Sequence, residues 1–306
     1  MSQRVVVVGS LNLDIVIGLA RMPDSGETVL GERLDQHAGG KGLNQAVSIA
    51  RLGVPVAMIG ALGTDSAGTW LREIVRREGI DDAGVATVDG SSGTAVIEVD
   101  SAGANRIVVI PGANAAVTAE QVSAAIAAVD DVGVVLTQGE VPLEAIAAAM
   151  RAGRAIGATT ILNPAPALAL PDELLHDVDY VIPNEHEAAL LTGMVTSTAA
   201  DATDAARALV HRGAGCAVVT RGARGSVWAT SGSSGSAGAF RVVPVDTVAA
   251  GDAFCGGLAA ALAEGRSLSE ALRWGSAAGA LAATAEGAVT SLPDREAVEK
   301  LVNTSV

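Results

Sequence analysis

Apolar positions along the chain follow two alternating patterns. Short runs of aliphatic residues predict buried strands, because a strand covered on both faces is apolar throughout. These runs lie at residues 5–8, 56–59, 132–136, 159–162, 180–182 and 217–220. Between them, helical spacing of apolar residues predicts helices over residues 44–52, 66–78, 119–128, 143–156, 185–191 and 204–212. The alternation is typical of βαβ units, so we expect an α/β fold, a three-layer αβα sandwich with a mainly parallel central sheet.

Two regions of the chain lack this alternation. The first has strand-like runs at residues 15–17 and 28–29, and the second at 94–99 and 107–110. Antiparallel strands outside a βαβ core usually form a small sheet. We therefore expect both regions, at about residues 12–38 and 92–112, to form one β-sheet lid.

The rest of the chain completes the predicted organisation. Residues 252–264, 267–283 and 294–302 have helical patterns, and the Gly- and Ser-rich residues 232–238 predict a solvated hairpin tip. Together with the lid, these segments predict a single domain over residues 1–306.

Composition restricts the class of partner. Of the 306 residues, 49% are hydrophobic and 18% charged, which suffices for a large core and excludes intrinsic disorder. Lys and Arg number 20 against 34 Asp and Glu, a net charge of −14, so nucleic acid and anionic membranes are expected to repel the chain. The first apolar run is too short for a signal peptide, and no apolar stretch reaches the ~20 residues of a membrane span. These patterns predict a cytoplasmic protein.

The strongest candidate for chemistry is the stretch that leads into Asp252. Three small residues, Ala249, Ala250 and Gly251, precede it at the start of an apolar helix. Small side chains leave the backbone N–H groups facing outward, and a helix N-terminus favours anions. Asp252 is therefore either a helix N-cap or a general base beside an anion site, and the spacing leaves both interpretations open.

A second candidate is a glycine-rich turn before the predicted helix at residues 44–52. It resembles a phosphate-binding Walker loop only superficially, because Gly42 follows Lys41 where that loop requires Ser or Thr. The glycines alone are explained by a tight turn. A turn, however, needs neither Lys41 nor Asn44.

Polar residues also follow three of the predicted strands. Asn12 and Asp14 come after the first one, where they suit a polyhydroxylated ligand or form an Asx turn. Asn184 and Glu187 are three residues apart, which fits Mg²⁺ held through water or a helix capping box. The glycine-rich turn at 220–225 has the composition of a nucleotide-phosphate loop.

Taken in this order, these segments resemble the ribokinase-like carbohydrate kinase family. The resemblance runs from residue 5 to about residue 293, and residues 39–44 and 246–257 carry its most specific motifs. It implies an ATP-dependent kinase that transfers the γ-phosphoryl group to the 5-hydroxyl of D-ribose. A kinase of the same family for fructose, 2-deoxyribose or a keto-deoxy acid is the alternative.

The resemblance also implies roles for individual residues. Asp252 is the expected general base, and the N–H groups of Ala249, Ala250, Gly251 and Asp252 are the expected anion hole. The expected sugar contacts are Asn12, Asp14, Gly40, Lys41, Asn44, Glu140 and Asp252. The expected ATP contacts are Asn184, Thr220, Gly222, Gly225, Gly251 and Ser276.

Two metal sites are implied in the same way. Asn184 and Glu187 are expected to hold Mg²⁺ through water. The expected ligands of an activating K⁺ are Asp246, Val248, Ala282, Ala285, Gly287 and Ser291. The free strand edges of the lid suggest a homodimer formed through it.

Two other classes of function are less compatible with the sequence. A catalytically silent sugar or nucleotide sensor on the same fold would be expected to lose the base or the anion hole, and both motifs are present. A dinucleotide-dependent dehydrogenase requires a G-x-G-x-x-G motif after the first strand. Gly9, Ser10 and Leu11 stand there instead.

Overall fold

The structure is a computed structural model that describes residues 2–304. Its strands are β1 (Arg4–Val8), β2 (Asn12–Leu19), β3 (Gly31–Gly39), β4 (Val56–Gly63), β5 (Asp81–Val88), β6 (Gly93–Asp100), β7 (Asn105–Ile110), β8 (Val132–Gln138), β9 (Thr159–Asn163), β10 (Tyr180–Val181), β11 (Cys216–Thr220), β12 (Ser226–Thr230) and β13 (Ser234–Ala237). Its α-helices are α1 (Lys41–Arg51), α2 (Ser66–Arg77), α3 (Ala119–Ala127), α4 (Leu143–Ala155), α5 (Asp172–Leu175), α6 (Glu185–Thr192), α7 (Ala199–His211), α8 (Ala250–Ala263), α9 (Leu268–Ala282) and α10 (Arg295–Thr304).

A large, mainly parallel sheet forms the centre of the molecule. Within residues 2–304 it has nine strands in the order β13-β12-β11-β10-β9-β8-β1-β4-β5. The strands from β11 to β5 in this order pair in parallel, and β12 and β13 form an antiparallel edge. The predicted α/β class and mainly parallel sheet are confirmed.

Helices cover both faces of this sheet, which gives the three predicted layers. The valines of β1 alternate between two apolar cores: Val5 and Val7 lie in one, Val6 and Val8 in the other. The first core also contains residues of α1, α2, α8, α9 and α10, and the second contains residues of α3, α4, α5, α6 and α7. A strand buried on both faces in this way is apolar throughout.

A second, smaller sheet combines the two regions that lack alternating helices. Its order over the described residues is β3-β2-β6-β7. The hairpins β2–β3 and β6–β7 are antiparallel, whereas β2 and β6 pair in parallel and join the hairpins. The expected small second sheet is confirmed, and one of its three strand pairings is parallel. β2 follows β1 and β6 follows β5, two strands that run in the same direction in the large sheet.

Three local predictions differ from the structure. The strand expected at 28–29 is absent, because β2 ends its pairing at Leu19 opposite Gly31 and leaves those residues without a partner. The loop expected at 232–238 contains β13, where Gly235 lies close under the ring of Trp228. Helix α7 starts at Ala199 rather than at residue 204, because Thr198 and Asp201 form a capping box there.

The topology places a crevice at the end of β1. From β1 the chain continues to β4 and β5 on one side, and the strands from β8 onward lie on the other side. In open α/β sheets, ligands bind beyond the carboxyl ends of the strands where the strand order reverses in this way. The segments after β1 and β8 are therefore the first places to look for a site.

Candidate active site

Asp252 lies in the first turn of α8, but it does not cap that helix. The N-cap is Ala249, and the Asp252 carboxylate accepts hydrogen bonds from two amides of α1. Asn44 Nδ2 donates to Oδ2 at 2.9 Å, and Gln45 Nε2 donates to Oδ1 at 3.0 Å. Asp252 as a whole residue is only 6% exposed. The N-cap interpretation is wrong, and a buried carboxylate held from outside its own helix remains.

The backbone around Ala249 forms a place for an anion. Ala249 has a φ of 59°, a left-handed conformation that is uncommon for a residue with a Cβ. Among residues 2–304, the N–H groups of Gly251 and Asp252 donate to no protein acceptor. A Cβ added at Gly251 would meet no atom within 4 Å, so open space lies beside Gly251 at this helix N-terminus, where unpaired N–H groups favour an anion.

The glycine-rich turn before α1 packs directly onto the end of β1. Gly40 has a φ of 88°, and a Cβ there would lie 2.9 Å from the backbone nitrogen of Asn12. The next residue, Lys41, donates its backbone N–H to Glu140 Oε2 at 3.1 Å. The hydroxyl of Ser10 donates to the same oxygen at 2.5 Å. Glu140, which follows β8, thus ties α1 to the segment after β1.

Asn12 lies at the wall of a cleft between the two sheets. It is 2% exposed, and its Oδ1 accepts a hydrogen bond from Asn114 Nδ2 at 2.7 Å. The cleft has a volume of about 410 Å³. Its lining residues are Asn12, Val109, Pro111, Asn114, Ala115, Gly139, Glu140, Val141, Pro142 and Pro166. A cavity of this size suits a small organic molecule.

Acidic groups surround a single lysine at this place. Burial, followed by the charges of Glu140 and Asp252, raises the pKa of Asp14 to about 7. The charge of Asp252 raises the pKa of Lys41, with further contributions from Glu140 and Glu187. The surrounding negative charge therefore favours the protonated form of Lys41.

Asn184 and Glu187 form a capping box at the start of α6. Glu187 N–H donates to Asn184 Oδ1 at 2.9 Å, and Asn184 N–H donates to Glu187 Oε2 at 2.8 Å. The capping alternative is confirmed, and the second carboxylate oxygen of Glu187 is not used by it. Burial raises the pKa of Glu187. Asn184 also forms a β-bridge with Thr220, which brings the predicted nucleotide turn beside it.

The turn after β11 has the backbone of a tight loop. Gly222 and Gly225 have φ values of 55° and 82°, a region that glycine adopts more readily than other residues. Ser276, the remaining predicted ATP contact, lies buried in α9.

Asp246 joins the two segments predicted to hold a monovalent cation. Its Oδ1 accepts from the N–H of Val248 and its Oδ2 from the N–H of Gly287, both at 3.0 Å. The segment after α9 continues to Ala285, whose N–H donates to the carbonyl of Ala282, and to the 3₁₀ turn that contains Ser291. The structure therefore places Asp246, Val248 and Gly287 in contact.

Five polar residues to which the sequence analysis assigned no role contribute to this arrangement. They are Ser10, Gln45, Asn114, Gln138 and Asn163. Gln138 and Asn163 are the last residues of β8 and β9, so a polar residue at the end of an apolar run is the pattern that could have indicated them. Gln45 and Asn114 have no such local indication.

A comparison with known proteins identifies the family. A model of the family described as "pfkB family carbohydrate kinase" matches residues 2–295. The chain belongs to the pfkB family of carbohydrate kinases. This pfkB-family chain is similar to a ribokinase of Haemophilus influenzae. The two are 38% identical over 297 residues, which cover 97% of each chain. A deoxyribokinase of Salmonella typhi is 34% identical over 294 residues, 95% of this chain and 96% of the relative.

A solved structure agrees in fold over the full length. The Arabidopsis thaliana ribokinase complexed with ribose and ATP is 33% identical, with a TM-score of 0.90 and 99% of both chains covered. In residues 2–304 of the pfkB-family chain, no helix is long and apolar enough to cross a membrane. The same residues hold no group of three or more His, Cys, Asp or Glu side chains arranged for a metal ion.

Proposed function

We propose that this protein transfers the γ-phosphoryl group of ATP to the 5-hydroxyl of D-ribose. The observation that carries the proposal is the Asp252 carboxylate, held by Asn44 and Gln45 beside the unpartnered N–H groups of Gly251 and Asp252. Base and anion site are thereby adjacent, as phosphoryl transfer to an alcohol requires. The Haemophilus influenzae ribokinase and the Arabidopsis structure with ribose and ATP support the choice of substrates.

Asp252 is the proposed general base. It accepts the proton of the sugar hydroxyl as the oxygen attacks the γ-phosphorus, and the bond from that phosphorus to the β–γ bridging oxygen breaks. The N–H groups of Ala249, Ala250, Gly251 and Asp252 form the proposed anion hole for the transferring group, for which that of Ala250 must leave its 3.3 Å hydrogen bond to the carbonyl of Thr247. Phosphoryl transfer depends mainly on positioning and electrostatic stabilisation, so this arrangement provides the larger part of the catalysis.

The sugar is proposed to bind between the two sheets. Asn12 and Glu140 line the cleft. Asp14, Lys41 and Asn44 lie around the same charged cluster, and the backbone of Gly40 adjoins it. Asn44 Oδ1 is buried without a hydrogen-bond partner among the described residues, so a sugar hydroxyl would satisfy it.

ATP is proposed to lie along the start of α6 and the turn after β11. Asn184, Thr220, Gly222 and Gly225 would contact it there, with Gly251 at the γ-phosphate and Ser276 on α9. The unused oxygen of Glu187 and the amide of Asn184 are oxygen donors of the kind Mg²⁺ accepts through water. Mg²⁺ bound with ATP would neutralise phosphate charge.

A monovalent cation, K⁺, is proposed to bind beside the anion hole. Its proposed ligands are Asp246, Val248, Ala282, Ala285, Gly287 and Ser291. The donor set is mostly carbonyl oxygens with one carboxylate, which suits a hard cation, and Asp246 already links two of the segments. A cation there would hold the 246–248 segment, which leads directly into Ala249.

The small sheet is proposed to act as a lid and as a dimer interface. As a lid it would exclude water from the site and so limit ATP hydrolysis. As an interface it would cover β7, whose six residues are all exposed. The proposed compartment for this activity is the cytoplasm, and the proposed partners are small molecules and a second copy of the chain.

A second acceptor, 2-deoxyribose, has support of its own. The Salmonella typhi deoxyribokinase is 34% identical over nearly the whole chain. Ribose and 2-deoxyribose differ by one hydroxyl, and a site that hydrogen-bonds a hydroxyl rejects the analogue that lacks it. Fructose and keto-deoxy acids are the remaining acceptors to compare.

The decisive experiment is a comparison of acceptors at saturating ATP, Mg²⁺ and K⁺. We expect kcat/KM for D-ribose to exceed that for 2-deoxyribose, fructose and keto-deoxy acids by at least about 10-fold, the effect of one lost hydrogen bond. A preference for another sugar would leave the assignment as a sugar kinase intact and would show that the proposed sugar contacts are wrong. No turnover with any acceptor would overturn the proposal.

A further inference from the structure

Behind Asp252 lies a chain of buried amides that the proposed reaction does not itself use. Gln45 Nε2 donates to Asp252 Oδ1 at 3.0 Å and to Asn163 Oδ1 at 3.1 Å. Gln138 Nε2 donates to Gln45 Oε1 at 2.7 Å, and Asn163 Nδ2 donates to the carbonyl of Ile182 at 2.7 Å. Gln45 and Gln138 are 0% exposed.

The orientation of each amide in this chain is determined from both ends. A backbone carbonyl and an ionised carboxylate only accept hydrogen bonds. The carbonyl of Ile182 therefore requires the nitrogen of Asn163, so the Asn163 oxygen faces Gln45 and requires a donor. Asp252 requires the same donor, and the nitrogen of Gln45 serves both. The oxygen of Gln45 then faces Gln138, which must present its nitrogen.

This orientation leaves one acceptor unsatisfied. Gln138 Oε1 is buried without a hydrogen-bond partner among the described residues. It also occupies the space beside Gly9, where a Cβ would lie only 2.1 Å from it. A buried acceptor without a donor destabilises a fold. Packing alone does not account for it, whereas the need to present the nitrogen of Gln138 to Gln45 does.

We propose that Gln45, Gln138 and Asn163 are positioning residues that hold the Asp252 carboxylate in one orientation and keep it an acceptor. This inference rests on the proposed function, because it assumes that Asp252 accepts the proton of the sugar. The three amides come from α1 and from the ends of β8 and β9, so they fix the base against the rigid body of the protein.

Other ionisable groups also face Asp252 and must stay constant in any test. Lys41 lies on α1, Asp14 on β2, Glu187 on α6, and Cys255 one turn further along α8. Substitution of an amide by Met leaves all four in place and nearly preserves side-chain volume. A change in the pH dependence of kcat would then report the lost hydrogen bond and not lost packing.

The test is Gln45→Met, assayed for kcat against pH at saturating ribose and ATP. Loss of a hydrogen bond to an ionised group makes protonation of that group easier. We expect kcat to fall ~10- to 100-fold and its acidic limb to move up by about one pH unit, with KM for ATP changed less than about 2-fold. Because the pKa of Asp14 is about 7, the profile is also recorded after Asp14→Asn has been added to the wild type and to Gln45→Met. Gln138→Met should shift the limb in the same direction by a smaller amount.

A matched control is Gln121→Met. Gln121 Nε2 also donates two hydrogen bonds, to the carbonyls of Gly60 and Gly84, but outside the site. It should lower stability without moving the acidic limb. An unmoved limb in Gln45→Met, or an equal shift in Gln121→Met, would overturn the inference.

Two further results keep the test decisive. If circular dichroism shows that Gln45→Met is unfolded, Gln138→Met decides alone, and an unchanged kcat and limb in that variant overturns the inference. Asp252→Asn separates this failure from failure of the proposed function. Near-normal turnover in Asp252→Asn would show that Asp252 is not the general base. An inactive Asp252→Asn with an unmoved limb in the amide variants would instead contradict only the positioning role of the amides.

Discussion

At the scale of single residues, two carboxylates of the site have different surroundings. Asp252 accepts two amide hydrogen bonds from α1. Asp14 is partly buried, and this burial together with the negative charges of Glu140 and Asp252 raises its pKa to about 7. Different environments of this kind assign different roles to two carboxylates of one site. Asp252 is suited to accept a proton, and Asp14 to exchange one as a sugar arrives.

Substitution of Asp14 by Asn should change stability in a pH-dependent way. The pKa of Asp14 is about 7 in the folded protein against 3.8 for the free side chain. The contribution of Asp14 to the free energy of unfolding is therefore fully present below about pH 4 and is lost as the pH rises through about 7. Since Asn stays neutral, Asp14→Asn should gain stability relative to the wild type between about pH 4 and 7 and level off above.

Denaturant unfolding of the sugar-free protein at several pH values measures this difference. Asp24→Asn is the control, because Asp24 is an exposed carboxylate in the same region of the chain. A difference between Asp14→Asn and wild type that does not vary with pH would contradict the assignment.

At the scale of elements, the helix N-termini of the molecule are capped in different ways from one another. Helices α6, α7 and α9 begin with capping boxes that satisfy their own first N–H groups. Helices α1 and α8 begin at Gly40 and Ala249 without a side-chain cap, and their first turns meet at the site through Asn44 and Asp252. The first N–H groups of α1 donate to Glu140 and Ser10, whereas those of Gly251 and Asp252 in α8 have no acceptor among the described residues.

The left-handed backbone at Ala249 predicts that substitution by glycine, which usually destabilises a helix, does not destabilise the protein here. A left-handed conformation costs a residue with a Cβ about 1–2 kcal/mol, which glycine avoids, while glycine loses about 0.5–1 kcal/mol through the entropy of its unfolded chain. Ala249→Gly should thus leave the free energy of unfolding unchanged or raise it by up to about 1 kcal/mol. Thermal or denaturant unfolding measures the effect.

The matched control for that substitution is Ala124→Gly. Ala124 is exposed in the middle of α3, where Gly costs about 1 kcal/mol relative to Ala. Equal losses of stability in Ala124→Gly and Ala249→Gly would show that the turn before α8 is not strained.

The elements with strong local patterns could be predicted from the sequence, and the ones that depend on partners could not. The valines of β1 and the periodic residues of α4 identify their elements locally. The apolar pair at 28–29 resembles a strand but has no partner, whereas β13 is made of small residues and exists because β12 pairs with it. A strand requires a neighbour that lies elsewhere in the sequence.

The same distinction holds for the site. Asp252 and Asn44 stand in recognisable motifs, and the structure joins them. Gln45 could not be predicted, because its role depends on Gln138 and Asn163, which lie 93 and 118 positions away along the chain. Long-range hydrogen bonds of this kind leave no local pattern.

At the scale of the whole molecule, the small sheet presents two different faces. Val109 on β7 lines the cleft, so its neighbour Val108, on the opposite side of the strand, points away from the cleft. Val108 is 60% exposed, and Leu34 on β3 is 64% exposed. Large apolar side chains exposed on an edge strand commonly mark an interface. This face is where we expect a second copy of the chain to bind.

Introduction of a charge on this outer face should separate the proposed dimer. Val108→Lys would place an ammonium in an apolar interface, where burial of an unpaired charge is strongly unfavourable. We expect the mass measured by light scattering to change from dimer to monomer at micromolar concentration. Leu190→Lys on α6, also at an exposed apolar position, should leave the mass unchanged. A wild-type monomer, or a dimer that survives Val108→Lys, would contradict the proposed interface.

The central claim is that Asp252 takes the proton of a ribose hydroxyl while the start of α8 holds the phosphoryl group. Its most direct test is phosphorus NMR of the reaction of ATP with D-ribose, run in parallel with wild type and Asp252→Asn. The wild type should form ribose 5-phosphate, and the variant should form it ~10²- to 10⁴-fold more slowly, with ribose binding by calorimetry retained. Equal rates in the two proteins, or a phosphate on a different hydroxyl, would contradict the account.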